Sequence, residues 1–365
     1  MRAPRVMFTG GGTGGHIFPA LAIADELKSL RPEGAIAFIG TKTKIEARVV
    51  PQAGYQFFPI TVSALRRRIS VETALFPLHL LAGMGQSLAR LRQWKPDVVV
   101  GTGGYVSGPP LYAASVMGIP TLLHESNSIP GATTRLLAGR MSEVHITFAG
   151  TKDLLRRKDN VVLSGNPTRG SLGTLSREDG AAHFGLHPDN ETLFAFGGSL
   201  GAQSINAALL GLVPRLAGRG VQVIWQTGLR EHETFRQGAS AFPGVVVLPF
   251  IDRMDCAYAA ADLVVCRAGA TTLAEITRLG MPSILVPYPH AAADHQTANA
   301  QALVDAHAAV MVRDADLASR LGGVVDALLG DVDRRNSMAA RCRSLGRPDA
   351  ARTLAEAVLR LGGFT

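Results

Sequence analysis

At 365 residues, with 47% hydrophobic and 18% charged residues, the chain has the length for about two domains and enough apolar material for real cores. Its 40 glycines and 20 prolines follow no repeating period, which excludes collagen, coiled coil and disorder and fits a fold with many strand-to-helix turns. The net charge of +8 lies wholly in residues 1–165, which carry 19 Lys+Arg against 10 Asp+Glu while the remainder carries 18 against 19; the first half is therefore expected to face an anionic surface.

In chain order, short apolar runs at 5–9, 35–39, 97–100, 121–124, 143–146 and 161–163 read as strands separated by helical patterns. The pattern then starts again, with runs at 192–196, 222–226, 245–248, 263–266, 283–286 and 309–312. Each half opens with a strand that runs into a glycine turn and a helix, VMFTGGGTGGH and LFAFGGSLGAQ. This alternation predicts an α/β protein of two Rossmann-like domains, their parallel sheets facing across a cleft. The expected divisions are 1–164, 165–345 and a C-terminal amphipathic helix within 346–365.

Cys256, Cys266 and Cys342 form no CxxC pair and are expected as buried thiols in a reducing compartment. The N-terminal apolar run is too short for a signal segment and no run approaches about 18 residues, so neither a leader nor a membrane span is expected. With no zinc spacing, RNP signature or basic helix, phospholipid headgroups are preferred over nucleic acid as the anionic partner.

Gly10, Gly12 and Gly15 fit GxGxxG between a strand and a helix. A dinucleotide site also wants an acid at the end of the second strand, and that strand ends Phe38-Ile39-Gly40-Thr41, which disfavours NAD and a nicotinamide oxidoreductase. Thr13, Gly14 and Gly15 let a substrate approach the backbone, and His16 follows at the mouth of the helix as a general base or hydrogen-bond donor. In the second half, Gly197-Gly198-Ser199-Leu200-Gly201 offers amides and a hydroxyl suited to a diphosphate, without the GK[ST] ending of a P-loop. Arg169, at the junction, is placed to add a guanidinium to the same phosphates. The run Ala268, Gly269, Ala270, Thr271, Thr272, Leu273 follows a strand with its amides toward the cleft, and Glu275 beyond it is a carboxylate able to take both hydroxyls of a ribose. Gln296, in DHQTANA, suits sugar hydroxyls. Asp314-Ala315-Asp316 and Asp331-Val332-Asp333 precede late helices and read as caps, so no metal is expected.

Taken together, GGTGGHIFPALAIA, GTGGYVSGPP, HESNSIPGATTR, GNPTR, GGSLGAQSIN, FIDRM, CRAGATTLAEI and DHQTANA closely resemble the MurG family of N-acetylglucosaminyltransferases. The resemblance implies a GT-B fold and inverting transfer of GlcNAc from UDP-GlcNAc to the 4-hydroxyl of MurNAc in lipid I, forming lipid II, without a cofactor. It assigns the donor to the C-terminal half: Ile251 to uracil through its backbone, Glu275 to ribose, and Ser199, Arg169 and the 268–273 loop to the diphosphate. Gln296, Asn127 and the turn Thr13 to Gly15 would meet GlcNAc, and Tyr105, His124, Glu125 and His16 the acceptor. The base would be His16, with Glu125 as competitor. The family's C-terminal helix crosses back onto the first domain. HESN stands where HEQN is common, so Ser126 forgoes an amide contact. Because the acceptor carries a polyprenyl chain, a peripheral site on the cytoplasmic face of the membrane is expected at Arg66, Arg67, Arg68 and the apolar stretch 75–81. The rival readings are another GT-B transferase with a different sugar nucleotide or lipid acceptor, and a non-catalytic sugar-nucleotide binder.

Overall fold

The structure is a computed structural model, and it describes residues 2–64, 75–168, 170–198 and 201–364. The chain forms two compact units, one of Met1–Thr168 with Arg347–Thr365 and one of Arg169–Gly346.

The first unit is built on strands β1 (Arg5–Thr9), β2 (Ala35–Thr41), β3 (Gln56–Ile60), β4 (Val98–Gly101), β5 (Thr121–Glu125), β6 (Glu143–Ile146) and β7 (Val161–Leu163). They make one parallel sheet in the order β3-β2-β1-β4-β5-β6-β7. Helices α1 (Gly14–Leu30), α2 (Glu46–Gln52), α3 (Phe76–Trp94), α4 (Gly108–Val116) and α5 (Ala132–Leu137) connect them. Both faces of the sheet are covered, so Val6, Met7 and Phe8 in the middle of β1 are all apolar and buried, and successive residues serve different cores. Val6 and Phe8 pack with Ile17, Ile23 and Leu27 of α1, while Met7 packs with Leu91 and Leu111 on the other side. The strand order reverses between β1 and β4, which creates a switch point where loops from adjacent strand ends diverge and leave a crevice. The strand β3 has no counterpart in the sequence pattern, because Pro59 lies inside it; as an edge strand it needs no second ladder of amide donors.

The second unit repeats the plan with β8 (Thr192–Phe196), β9 (Gln222–Gln226), β10 (Val245–Leu248), β11 (Leu263–Cys266), β12 (Ser283–Leu285) and β13 (Val310–Met311), in the order β10-β9-β8-β11-β12-β13. Its switch point lies between β8 and β11. The helices are α6 (Arg177–His183), α7 (Gln203–Gly218), α8 (His232–Ala239), α9 (Met254–Ala260), α10 (Ala270–Leu279), α11 (His295–Asp305), α12 (Leu317–Leu329) and α13 (Val332–Leu345). Local signals set several ends: Ser176 and Asp179 form a capping box on α6, and Gly280, at φ +67°, ends α10 in the left-handed conformation. Leu193, Ala195 and Trp225 form the core with Ile205, Leu209 and Val213 of α7 and Leu321 and Val325 of α12. The three cysteines are buried, and burial pushes the Cys342 thiol up to about 12.

After the second unit the chain returns to the first as α14 (Ala350–Leu361). Leu354, Ala355 and Val358 join the core of α1 and β1, Arg352 and Glu356 pair on the outer face, and Arg360 reaches Glu143 of β6 at 2.6 Å. Among the described residues no helix is long and apolar enough to cross a membrane.

Candidate active site

Both switch points carry glycine turns, and each turn is shaped by close approach. In the first unit, Thr13 is the extended N-cap of α1, so the amides of Gly14 and Gly15 precede the helix's own ladder. His16, half-buried in the first turn, places Nδ1 3.1 Å from the carbonyl oxygen of Thr102, while the Thr102 hydroxyl donates to the His16 carbonyl at 2.7 Å. A carbonyl only accepts, so Nδ1 carries a proton, and in the neutral form of the ring Nε2 is the proton-accepting nitrogen. The loop after β4 has to be glycine here. Gly103 and Gly104 have φ of +93° and +77°, and a Cβ on them would lie 2.9 Å from His16 Nδ1 and 2.6 Å from the Gly11 carbonyl. Tyr105 follows with its ring against Gly12; burial, then the charge of Glu46, raises its pKa, so the phenol keeps its proton.

Two expectations change at the end of β5. Glu125 is 3% exposed and its carboxylate accepts from Asn127 N–H (3.0 Å), the Asn127 side chain (3.3 Å), Gly131 N–H (2.9 Å) and the Thr134 hydroxyl (2.6 Å). Those four donors make it the organiser of the 125–134 loop and leave it poorly placed as a base. His124 is 0% exposed, donates from Nε2 to the Gly165 carbonyl at 3.0 Å and cannot touch an acceptor. Burial pushes its pKa down to about 4. Ser126, in place of the family's glutamine, donates to Asn166 Oδ1 at 3.1 Å.

In the second unit, a cavity of about 780 Å³ opens at the β8–β11 switch point, within the usual range for a small-molecule site. Its wall includes Gly197, Gly198 and Gly201, the first turn of α7, Gly269, Thr272 and Gln296. Gly201, at φ +77°, admits no side chain because a Cβ would overlap the Thr227 carbonyl. Gln296, the second residue of α11, accepts from Tyr288 N–H at 2.9 Å, which leaves its amide N–H groups as the donors. Thr271 buries its hydroxyl without a hydrogen-bond partner. Ala268, Ala270, Leu273 and Ile251 are buried, and none of them lines this cavity. Glu275 is also buried, with the Tyr258 hydroxyl donating to it at 3.0 Å. Arg169, Ser199 and residues 65–69 lie outside the described residues.

Three residues that hold this cavity together were missed by the sequence reading. Gln226 donates to the Gly198 carbonyl (2.9 Å) and accepts from Ile251 N–H (2.8 Å), so one buried side chain spans the glycine turn and the 251 loop. The Ile251 N–H is thus committed to the scaffold. Arg267 bonds Asp314, the Pro287 carbonyl (3.1 Å) and the Ser204 hydroxyl (3.0 Å), and Ser204 in turn donates to Asp314 at 2.7 Å. Asp314 is therefore no helix cap, a correction forced by its partner. Asp331 is one, accepting from Arg334 N–H at 2.8 Å. The Arg267 signal was present as a charged residue at a strand end; nothing adjacent pointed to Asp314.

Residues 6–146 match the glycosyltransferase family 28 N-terminal domain and residues 192–354 the glycosyltransferase family 28 C-terminal domain. The chain is 45% identical, over 99% of its length and 97% of the relative's, to the UDP-N-acetylglucosamine–N-acetylmuramyl-(pentapeptide) pyrophosphoryl-undecaprenol N-acetylglucosamine transferase of Salinibacter ruber. Its identity to the like-named protein of Chlorobium limicola is 44%, over 98% of this chain and 99% of that one. Among solved structures it resembles MurG of Acinetobacter baumannii, with a TM-score of 0.79 and 29% identity over 98% of this chain and 99% of that one.

Proposed function

The chain belongs to the MurG family of N-acetylglucosaminyltransferases, and from that premise we propose that it transfers GlcNAc from UDP-GlcNAc, with inversion, to the 4-hydroxyl of MurNAc in lipid I. The family's product is lipid II, the precursor of peptidoglycan. The observation that carries the reading is the second unit's cavity, whose glycine turn opens into the N-terminus of α7 beside Thr272 and Gln296.

The chemistry follows from these groups. His16 Nε2 takes the proton as the acceptor oxygen bonds to the anomeric carbon, and the bond from that carbon to the UDP oxygen breaks. The bond's electron pair leaves on the UDP oxygen, and the additional negative charge that develops on the diphosphate is met by the amides and dipole at the start of α7, aided by Ser199 and Arg169. That stabilisation needs no divalent ion. The Ile251 carbonyl meets uracil and Glu275 the ribose, with the Ala268 to Leu273 turn alongside the diphosphate. Gln296, Asn127 and the Thr13, Gly14 and Gly15 turn meet sugar hydroxyls, and Tyr105 serves the acceptor. Glu125 supports this set by holding Asn127.

Membrane attachment is peripheral and uses α3. Leu78 and Leu81 in its first turns are 61% and 69% exposed, an apolar surface in the unit that carries the charge excess.

Isothermal titration tests the donor assignment. UDP-GlcNAc is expected to bind the wild type and to bind Gln296→Ala about tenfold more weakly, the loss expected from one or two sugar hydrogen bonds, with UDP itself unaffected. Equal weakening for UDP and UDP-GlcNAc would remove Gln296 from the sugar.

A further inference from the structure

A carboxylate lies under the first glycine turn that no motif marks. Glu46, the first residue of α2, is 0% exposed. One of its oxygens accepts from Thr41 N–H at 3.1 Å and from the Thr41 hydroxyl at 2.5 Å; the other accepts from Gly12 N–H at 2.9 Å. Two glycines make room for it. A Cβ on Gly11 would overlap the carboxylate, and one on Gly40 would stand 2.7 Å from Glu46 Cγ. On the other side of the turn the Tyr105 ring closes over Gly12. Burying a carboxylate is costly unless hydrogen bonds replace its water, so the group persists here because three donors hold it.

Those donors come from two places. Thr41 ends β2 and is part of the scaffold; Gly12, at φ +83°, belongs to the turn that leads into Thr13 and His16. The carboxylate is thus a bracket between the end of β2 and the glycine turn before α1. We propose that Glu46 is a positioning residue for group transfer: through Gly12 N–H it fixes the turn before α1 and so aims His16 Nε2 at the acceptor hydroxyl. The inference rests on the reading of His16 as the base. Glutamine cannot take over, because its amide nitrogen would present a donor to Gly12 N–H or to the Thr41 donors.

The test compares wild type, Glu46→Gln, Thr41→Val, His16→Ala and the double variant of Glu46→Gln with His16→Ala. In steady state with a short-chain lipid I analogue, Glu46→Gln should lower kcat about 10- to 100-fold, the cost of an angstrom-scale misplacement, with KM for UDP-GlcNAc within about twofold. On the His16→Ala background the same change should cost less than about threefold, since the group it aims is gone. Thr41→Val removes a bond to the same carboxylate without touching Gly12, and should melt lower yet keep kcat within about threefold. Hydrogen exchange gives a reading independent of turnover: the segment Gly12 to His16 should exchange about tenfold faster in Glu46→Gln and unchanged in Thr41→Val.

An unchanged kcat in Glu46→Gln, equal losses on both backgrounds, or unchanged exchange at the turn each overturn the proposal. If Glu46→Gln does not fold, Glu46→Asp, whose carboxylate is withdrawn by one methylene from Gly12, takes its place under the same criteria. A wild-type protein that transfers no GlcNAc defeats the functional reading alone, because the exchange comparison still decides whether Glu46 holds the turn.

Discussion

Two histidines of the first unit, one in the first turn of α1 and one in β5, illustrate how environment assigns roles. His16 stands half-buried with Nδ1 committed to the Thr102 carbonyl, an arrangement that fixes the tautomer of the neutral ring. His124 is sealed in the protein and holds the Gly165 carbonyl, so its chemistry appears as stability instead. The unfolded chain titrates such a ring near 6.5 and the folded protein near 4, so between these values the unfolded state binds the extra proton. Its contribution is complete above about pH 6.5 and is lost as the pH falls toward 4, by about 3 kcal/mol at the limit. Denaturant titrations at pH 7 and pH 4.5 should show His124→Gln less stable than wild type at pH 7 and the gap narrowing at pH 4.5 by about 2 kcal/mol. A gap that stays constant would mean that His124 does not titrate in this window.

At the scale of elements, the sites sit where strand order reverses, and that much could be read from alternating runs and two glycine turns. Twelve strands of the sequence pattern appear with ends moved by a residue or two, because short parallel strands are nearly continuous apolar runs. The thirteenth, β3, was hidden by Pro59, which only edge placement excuses. Supporting side chains were illegible for a different reason: Asp314 is 47 positions from Arg267, Gln226 is 28 from Gly198 and Glu46 is 34 from Gly12. No local spacing encodes such pairs; the sheet order does. Asp314→Ala should therefore loosen Arg267 at the donor cavity and weaken UDP-GlcNAc binding about tenfold by calorimetry, the scale of one charge-assisted bond. Asp331→Ala should cost about 1 kcal/mol of stability as a lost cap and leave the donor affinity alone. The reverse pattern would return Asp314 to a capping role. The first turns of α3 make a separate prediction: Leu78→Asp with Leu81→Asp should reduce sedimentation with anionic vesicles about tenfold or more, by loss of buried apolar area, without changing UDP-GlcNAc affinity. Unaltered vesicle binding would place the membrane contact elsewhere.

At the scale of the whole molecule, two switch points on two parallel sheets divide the labour. The second unit holds a cavity of about 780 Å³ walled by a glycine turn, and the first holds the His16 imidazole beside a glycine loop. The chain returns through α14 to complete the first unit's core, so that unit contains both ends of the sequence. The family and its fold were legible because eight motifs occur in order; the distribution of roles among His16, His124 and Glu125 was not, because it depends on burial and on which donors surround each group. The measurement that tests the account most directly is transfer of labelled GlcNAc from UDP-GlcNAc to a short-chain lipid I analogue, with and without EDTA, by the wild type and by His16→Ala. The account predicts equal product from the wild type in both conditions and a rate about 100-fold or more lower for His16→Ala, whose donor affinity is retained. Full activity in His16→Ala, or wild-type turnover abolished by EDTA, would contradict it.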